Sequence, residues 1–373
     1  LRTWAEINLD NLSHNVSMIR ELSGGKEILG VIKANAYGMG AVEYARELAE
    51  CGVKILGVAC YEEACELRAA GIEEDILIFG CIPPESVGTA IEKKFHLTIN
   101  SMEEIDFLER NNYYPKVHIK VDTGMGRVGF TSEMALEAID YIRENDIADL
   151  QGIYTHLSVA DDPTEDVYTL EQMEKFRTFE GFEGIKYIHI LNSCGSIRFG
   201  GKTYSTHVRP GILLQGIVPY DTDLQEKFKY VFELKTRILY IKRLEDEAYI
   251  SYGKSYRGNE GDVIVTLPVG YADGFNRKFS NGGSVMIKGH RCPVVGKVCM
   301  DMTMVKIPRE LVSQVGVGTE VTLIGKDIAA KAEEIGTIPY EIMTGVGRRV
   351  SRCYIKGGKI VKVKSLVEVE RRV

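Results

Sequence analysis

The chain has no uninterrupted apolar stretch long enough to cross a membrane, and no secretory signal is visible at its start. It has no CxxC pair, so neither a zinc ribbon nor a thioredoxin-type redox site is readable, and no metal site is expected. Its eight cysteines (Cys51, Cys60, Cys65, Cys81, Cys194, Cys292, Cys299 and Cys353) are scattered, mostly in apolar runs such as ILGVAC and GKVCMDM. That usage suits buried free thiols in a reducing compartment. There is no long block of Lys or Arg and no acidic tail. The net charge of −7, from 46 basic and 53 acidic residues, argues against nucleic acid as a main partner. Low-complexity segments and short internal repeats are also absent. The first residue is Leu1, not Met, and it leads straight into TWAEINL, so the expectation is that upstream sequence is missing, either a few residues or a whole domain.

What is present is ordinary globular material: 373 residues, 45% hydrophobic and 27% charged. Short β-branched runs alternate with helical patterns over the first two-thirds. Strands are expected near 28–32, 55–59, 76–79, 96–99, 117–121, 151–154, 187–191 and 207–208. Between them lie patterns such as AVEYARELAECG, YEEACELRAAG and TSEMALEAIDYIREN, the last opened by Thr131 and Ser132 in N-cap fashion. Eight strand–helix units imply an α/β fold, a closed (β/α)8 TIM-type barrel with parallel strands. The texture changes near 221–229, after which strand-like runs are broken by Gly and Asp turns, with one helical segment, DIAAKAEEIG. The expected domains are a barrel over 9–228 and a mostly β C-terminal domain over 229–373. The opening strand, 1–8, is spare and is expected to join the second domain.

Barrel enzymes place their chemistry at the carboxyl ends of the strands. Lys33 follows the first strand, Asp122 and Arg127 the fifth, His156 the sixth, Asn192 and Ser193 the seventh, and Arg209 stands at the eighth. A mouth carrying that many cations suits an anionic ligand with phosphate and carboxylate groups. A lysine ending an apolar strand is partly desolvated, which lowers its pKa and makes it a candidate nucleophile toward a carbonyl. Alone it would be read as a solvated loop lysine, and the cluster around it reverses that. Gly124-Met-Gly126-Arg-Val-Gly129 matches GxGxxG, but it follows the fifth strand, whereas a dinucleotide fingerprint belongs to the first. The glycines are read as freedom for Arg127 to reach a ligand. In the second domain Tyr252, Tyr271, Met300 and Asp301 occupy turn-like settings, where a single tyrosine is ordinarily a half-buried aromatic.

VIKANAYGMG, HIKVDTGMGRVGF, YTHLSVAD, NSCGSIRF, VRPGI, ISYGKSY, PVGYADGF, GKVCMDM and IPYEI, in this order, resemble the alanine racemase family over essentially the whole chain. The resemblance implies pyridoxal 5′-phosphate (PLP) carried on Lys33. Its phosphate would be held by Tyr37, Ser193, Gly211, Ile212 and Tyr340, with Asn192 and His156 alongside. Arg209 would face the pyridine nitrogen, and a guanidinium there cannot give up its proton, so the ring stays a weaker electron sink. Two bases would serve the two faces of the substrate Cα: Lys33 on one, Tyr252 from a partner subunit on the other. A free phenol, with its pKa of about 10, needs a cationic neighbourhood to act as a base, and His156 with Arg209 matches the family's network that supplies one. Arg127, Met300, Asp301 and Tyr271 would contact or admit substrate. Lys120 matches a lysine that the family often carries as a carbamate; the unmodified alternative stays open.

The implied product is a D-amino acid for peptidoglycan, made in the cytoplasm by a head-to-tail homodimer, with no nucleic acid and no membrane contact from this chain. A related serine racemase, the cytosolic part of a membrane-bound protein making D-Ser-containing wall precursors and linked to glycopeptide resistance, is the alternative; Tyr340 leans toward alanine. Two positions depart from the family pattern: Met39 stands for the usual His, and Gln215 for the usual aromatic. A non-catalytic PLP carrier would have no use for Tyr252, and the DTGMGR and CMD segments favour a racemase over a decarboxylase on the same barrel.

Overall fold

The computed structural model describes residues 1–220 and 222–366. Eight short strands close into a parallel barrel: β2 (Glu27–Val31), β3 (Ile55–Val58), β4 (Asp75–Ile78), β5 (His96–Ile99), β6 (Lys116–Lys120), β7 (Asp149–Tyr154), β8 (Tyr187–His189) and β9 (His207–Val208). They follow β1 (Thr3–Asn8), which lies outside the barrel. All but β7, which is buried over its second half, are three-quarters or more buried, as expected where side chains face either the barrel interior or the helix ring. β9 pairs back onto β2 through Glu27–His207 and Ile28–Val208, which closes the cylinder. All eight strands fall where the apolar runs predicted them. The helix Ser132–Glu144 starts at Thr131, whose hydroxyl accepts from the Met134 N–H.

The chain divides into two compact units. One comprises 11–36 and 41–229 and holds the barrel. The other comprises 1–10, 37–40 and 230–373. In this second unit, among the described residues, the main sheet has seven strands in the order 290–293, 284–287, 320–324, 232–237, β1, 351–356, 359–364. β1 is antiparallel to Phe232–Arg237 and parallel to Ser351–Lys356, so the first strand of the chain sits inside a sheet built from its end. Smaller sheets join Tyr240–Arg243, Val263–Leu267 and Thr303–Ile307, and pair Ala248–Ile250 with Tyr256–Gly258. The helix expected from DIAAKAEEIG is Ile328–Glu334. A second helix, Pro339–Thr344, was not expected; Pro339 occupies its first turn, where the missing N–H costs nothing. Among the described residues no helix is long and apolar enough to cross a membrane.

Candidate active site

Lys33 leaves the end of β2 and is followed by a left-handed turn. Ala34, Asn35, Ala36 and Tyr37 have φ of 51°, 56°, 52° and 56°. L-residues avoid this region at about 1–2 kcal/mol each, so neighbours must hold it. In the barrel unit Glu63 does so: its carboxylate accepts from the Ala34 N–H at 2.6 Å and the Ala59 N–H at 2.8 Å. The Asn35 side chain accepts from the Ala41 N–H at 2.8 Å. In the second unit the peptides that follow are gripped by Arg352, which donates twice to the Gly38 carbonyl at 3.1 and 3.0 Å, and by Tyr354, whose hydroxyl donates to the Met39 carbonyl at 2.9 Å. Burial and then the Arg127 charge lower the Lys33 pKa, against the pull of Glu63. The side chain is open to the mouth, so solvent screens that lowering.

The floor of the mouth is Arg209, 4% exposed. Its Nη1 donates to the His189 carbonyl at 2.5 Å and to His189 Nδ1 at 3.0 Å. Its Nη2 donates to the carbonyls of Thr155 (2.6 Å) and Ile190 (3.1 Å) and lies 3.2 Å from His156 Nδ1. The guanidinium also lies over the Tyr154 ring, 5.4 Å from its centre. Burial pushes the guanidinium down to about 10 and the Tyr154 phenol up to about 12. At neutral pH the arginine therefore stays charged. His156 is pushed well below its ordinary value by burial first, then by Arg209, Arg127, Lys120 and Lys33. Lys120, 2% exposed, donates to the Val121 carbonyl at 2.7 Å; burial and then Arg209 bring its amine down to about 8.

The GxGxxG loop turns its first amides inward. Three of its backbone donors are taken: Asp122 Oδ1 accepts from the N–H groups of Gly124, Met125 and Gly126 at 3.0, 2.8 and 3.1 Å. Burial would raise the Asp122 pKa, but those donors and Lys120 together hold it below the usual carboxylate value. Gly124, Gly126 and Gly129 all have positive φ, and Arg127 rides exposed on this turn. At β8 the Asn192 side chain caps the helix Ser193–Phe199, accepting from the Gly195 N–H at 2.9 Å. Ser193 Oγ accepts from the Gly211 N–H at 2.9 Å, which fixes the turn leading into the buried Ile212. Gln215, 1% exposed, has neither amide atom hydrogen-bonded.

Of the expected residues, the barrel unit thus gathers Lys33, Lys120, Arg127, His156, Asn192, Ser193, Arg209, Gly211 and Ile212. The second unit brings the rings of Tyr37 and Tyr340 to 5.8 Å. It also ties Tyr271 to the segment before Met300, whose carbonyl accepts from the Ala272 N–H at 3.1 Å while the Cys299 carbonyl accepts from Tyr271 at 3.1 Å. Asp301 is bound by Arg349 at 2.6 Å, and Arg349 also holds the buried Asp273 at 2.6 Å. Tyr252 stands apart at 72% exposure on a strained turn, between Ser251 at φ 66° and Lys254 at φ 51°. Sequence reading missed Glu63, His189, Tyr154 and Arg349. The one signal for His189 was a histidine inside an otherwise apolar strand, YIHI.

These residues fit PLP. Among the described residues the four Nη protons of Arg209 are committed to the barrel wall, and its Nε has no hydrogen-bond partner, leaving one fixed donor suited to a pyridine nitrogen. Among the interactions that set the Lys33 and Lys120 amines, the acidic partners are Glu63 and Asp122, against the charges of Arg127 and Arg209, so a phosphate and a carboxylate would find a cationic mouth.

Fold and site together define a TIM-barrel enzyme with a lysine amine and a buried, non-titrating arginine at its mouth. Residues 7–219 match the family model for the alanine racemase N-terminal domain, and residues 231–354 that for its C-terminal domain. The chain belongs to the alanine racemase family, whose members are PLP-dependent isomerases. It is 40% identical to the alanine racemase of Fusobacterium nucleatum over 358 residues, covering 95% of this chain and all of that one. The solved alanine racemase of Clostridium difficile 630 superposes with a TM-score of 0.91 at 36% identity, covering 98% of both chains. The Bacillus anthracis alanine racemase, solved with bound L-Ala-P, gives 0.88 at 34% identity, covering 98% of this chain and 97% of that one.

Proposed function

We propose that this protein interconverts L- and D-alanine with PLP held on Lys33. The observation that carries the reading is Arg209: a buried guanidinium whose Nη groups are fixed by the Thr155 carbonyl after β7 and the His189 and Ile190 carbonyls at the end of β8. Bound PLP supplies the electron sink that makes the substrate Cα–H acidic. The chain does the rest. Ser193, the Gly211–Ile212 turn, Tyr37 and Tyr340 hold the phosphate, with Asn192 bracing Ser193. Arg127 takes the substrate carboxylate. Lys33, its amine pKa lowered, holds the proton on one face of Cα. Tyr252 holds it on the other face; the positive charge that favours its phenolate comes from Arg209, with the neutral His156 ring beside that guanidinium.

Tyr252 is mostly exposed in the single chain, and Tyr271 (42%) and Met300 (52%) are about half exposed. This supports a homodimer in which Tyr252, Tyr271, Met300 and Asp301 complete the partner subunit's site. Lys120 as a carbamate would place an anion between Arg127 and Arg209. Eight free thiols fit work in the cytoplasm, and D-alanine is the amino acid a peptidoglycan-building cell requires.

The test is turnover of L-alanine and L-serine by the purified, PLP-loaded protein, with D-amino acid measured by a coupled oxidase. D-Alanine formed faster than D-serine is expected. Faster D-serine formation would replace the substrate assignment, and no D-amino acid from either would overturn the activity.

A further inference from the structure

Three fully buried histidines connect the bottom of the barrel to its mouth. His96 opens β5, His118 lies in the middle of β6 and His189 ends β8; each is 0% exposed. His96 Nδ1 is 3.0 Å from His118 Nε2, and His118 Nδ1 is 3.0 Å from His189 Nε2. At the lower end His96 Nε2 faces Asp75 Oδ1 at 3.3 Å, off the line of a good hydrogen bond and with no other partner. At the upper end His189 Nδ1 meets Arg209 Nη1. The ladder passes from β6 to β8 across β7, which it can do because β7 has no side chain opposite His118. Gly152 pairs with His118 in register, and a Cβ there would stand 2.3 Å from His118 Nδ1.

The direction of every bond follows from one end. Arg209 has only donors, so His189 Nδ1 must present a lone pair. The ring then carries its proton on Nε2 and donates to His118 Nδ1. By the same step His118 donates from Nε2 to His96 Nδ1, and His96 presents Nε2–H to Asp75. Asp75 has only acceptors when ionised, so the lower end demands the same direction that the upper end imposes. The surroundings of the lower end agree. Tyr187 donates to Asp75 Oδ2 at 2.8 Å, and Lys116 and Lys186 approach the same carboxylate at 3.5 and 3.8 Å. The Tyr187 ring also lies against His118 and His207, with centres 5.2 and 4.8 Å away. Burial, as the first cause, keeps His118 and His189 well below their ordinary values.

We propose that Asp75, His96, His118 and His189 form a one-directional hydrogen-bond ladder that positions Arg209 from the opposite end of the barrel, so that its guanidinium keeps Nε–H toward the mouth. Residues at the bottom of such barrels ordinarily serve stability alone; here the bottom rim fixes the orientation of a group at the top. Imidazole suits the task because it offers a donor and an acceptor on opposite edges of one rigid ring. These are positioning residues, touching neither substrate nor cofactor. The proposal rests on the racemase reading only in taking Arg209 as the group that faces the cofactor ring.

The test is nitrogen-15 NMR of histidine- and arginine-labelled holoenzyme. His96, His118 and His189 are expected in the Nε2–H tautomer. A ring found with its proton on Nδ1, or doubly protonated, would overturn the ladder, and this measurement needs no variant. In His118→Phe, exchange of the Arg209 Nη protons is expected to quicken about tenfold, the loss of one hydrogen-bonded support to a charged group. kcat should fall with KM for substrate unchanged. Gly152→Ala, which displaces the same ring without removing it, should move both readouts the same way. His118→Gln, whose amide can accept from His189 and donate to His96, should restore them. Unchanged Arg209 exchange in a folded His118→Phe protein would refute the positioning role. A protein with the three expected tautomers and no racemisation would sink the proposed activity and leave the ladder standing; an active protein with mixed tautomers would do the reverse.

Discussion

Lys120 offers a quantitative check on the electrostatics of the mouth. Its amine is buried and has been brought down from 10.5 to about 8. Below pH 8 the amine is protonated in both the folded and the unfolded chain, and the folded chain bears the full cost of burying the charge. Between pH 8 and 10.5 the unfolded chain binds more protons than the folded one, so stability rises with pH, and above 10.5 the penalty is gone. At 1.36 kcal/mol per pKa unit the penalty is about 3 kcal/mol. Lys120→Met removes the charge at similar length, at the expense of the 2.7 Å bond to the Val121 carbonyl, worth about 1.5–3 kcal/mol. In CO2-free buffer near pH 7 the variant should therefore lie within about 2 kcal/mol of the parent. By pH 10.5 the balance should have moved about 3 kcal/mol in favour of the parent. Urea unfolding of both proteins at a series of pH values measures it, and comparing the two removes the other titrating groups. A difference that stays flat from pH 7 to 10.5 would show that Lys120 titrates as an ordinary lysine and would refute the account. Adding bicarbonate near pH 8 should stabilise the parent alone if the neutral amine takes up CO2.

Lys33→Ala should abolish the near-ultraviolet and visible absorbance of the PLP-loaded protein; retained absorbance that survives dialysis would remove Lys33 from its role. Tyr252→Phe should lower kcat by about 10²–10⁴-fold, the usual contribution of a positioned acid or base, with PLP absorbance kept; full activity would end the two-base assignment. Gly40→Ala should destabilise by about 2–5 kcal/mol, because φ is +100° and the new Cβ would sit 1.9 Å from the Tyr354 hydroxyl. Adding Tyr354→Phe should recover the overlap but not the backbone strain, giving a double-mutant coupling of about 1–3 kcal/mol in urea midpoints; simple additivity would contradict the close approach.

The sequence by itself determined the barrel. Eight buried parallel strands need uninterrupted apolar runs, and such runs are visible without knowledge of any partner strand. It also placed Lys33, Arg127, His156 and Arg209 at one end, because a residue just after a barrel strand has nowhere else to go. Tertiary structure decided what depends on contacts remote in the chain. The left-handed turn at 34–37 has no glycine to announce it; it is held by Glu63, nearly thirty residues on. The glycines of the GxGxxG loop read as freedom for Arg127, and only the fold turns three of its amides onto Asp122. The helix at 339–344 is too short to show a period. Most of all, His96, His118 and His189 read as three isolated polar interruptions of apolar strands. A hydrogen bond between side chains needs an angle and a distance, and these exist only once the sheet has closed and Gly152 has left room for the middle ring.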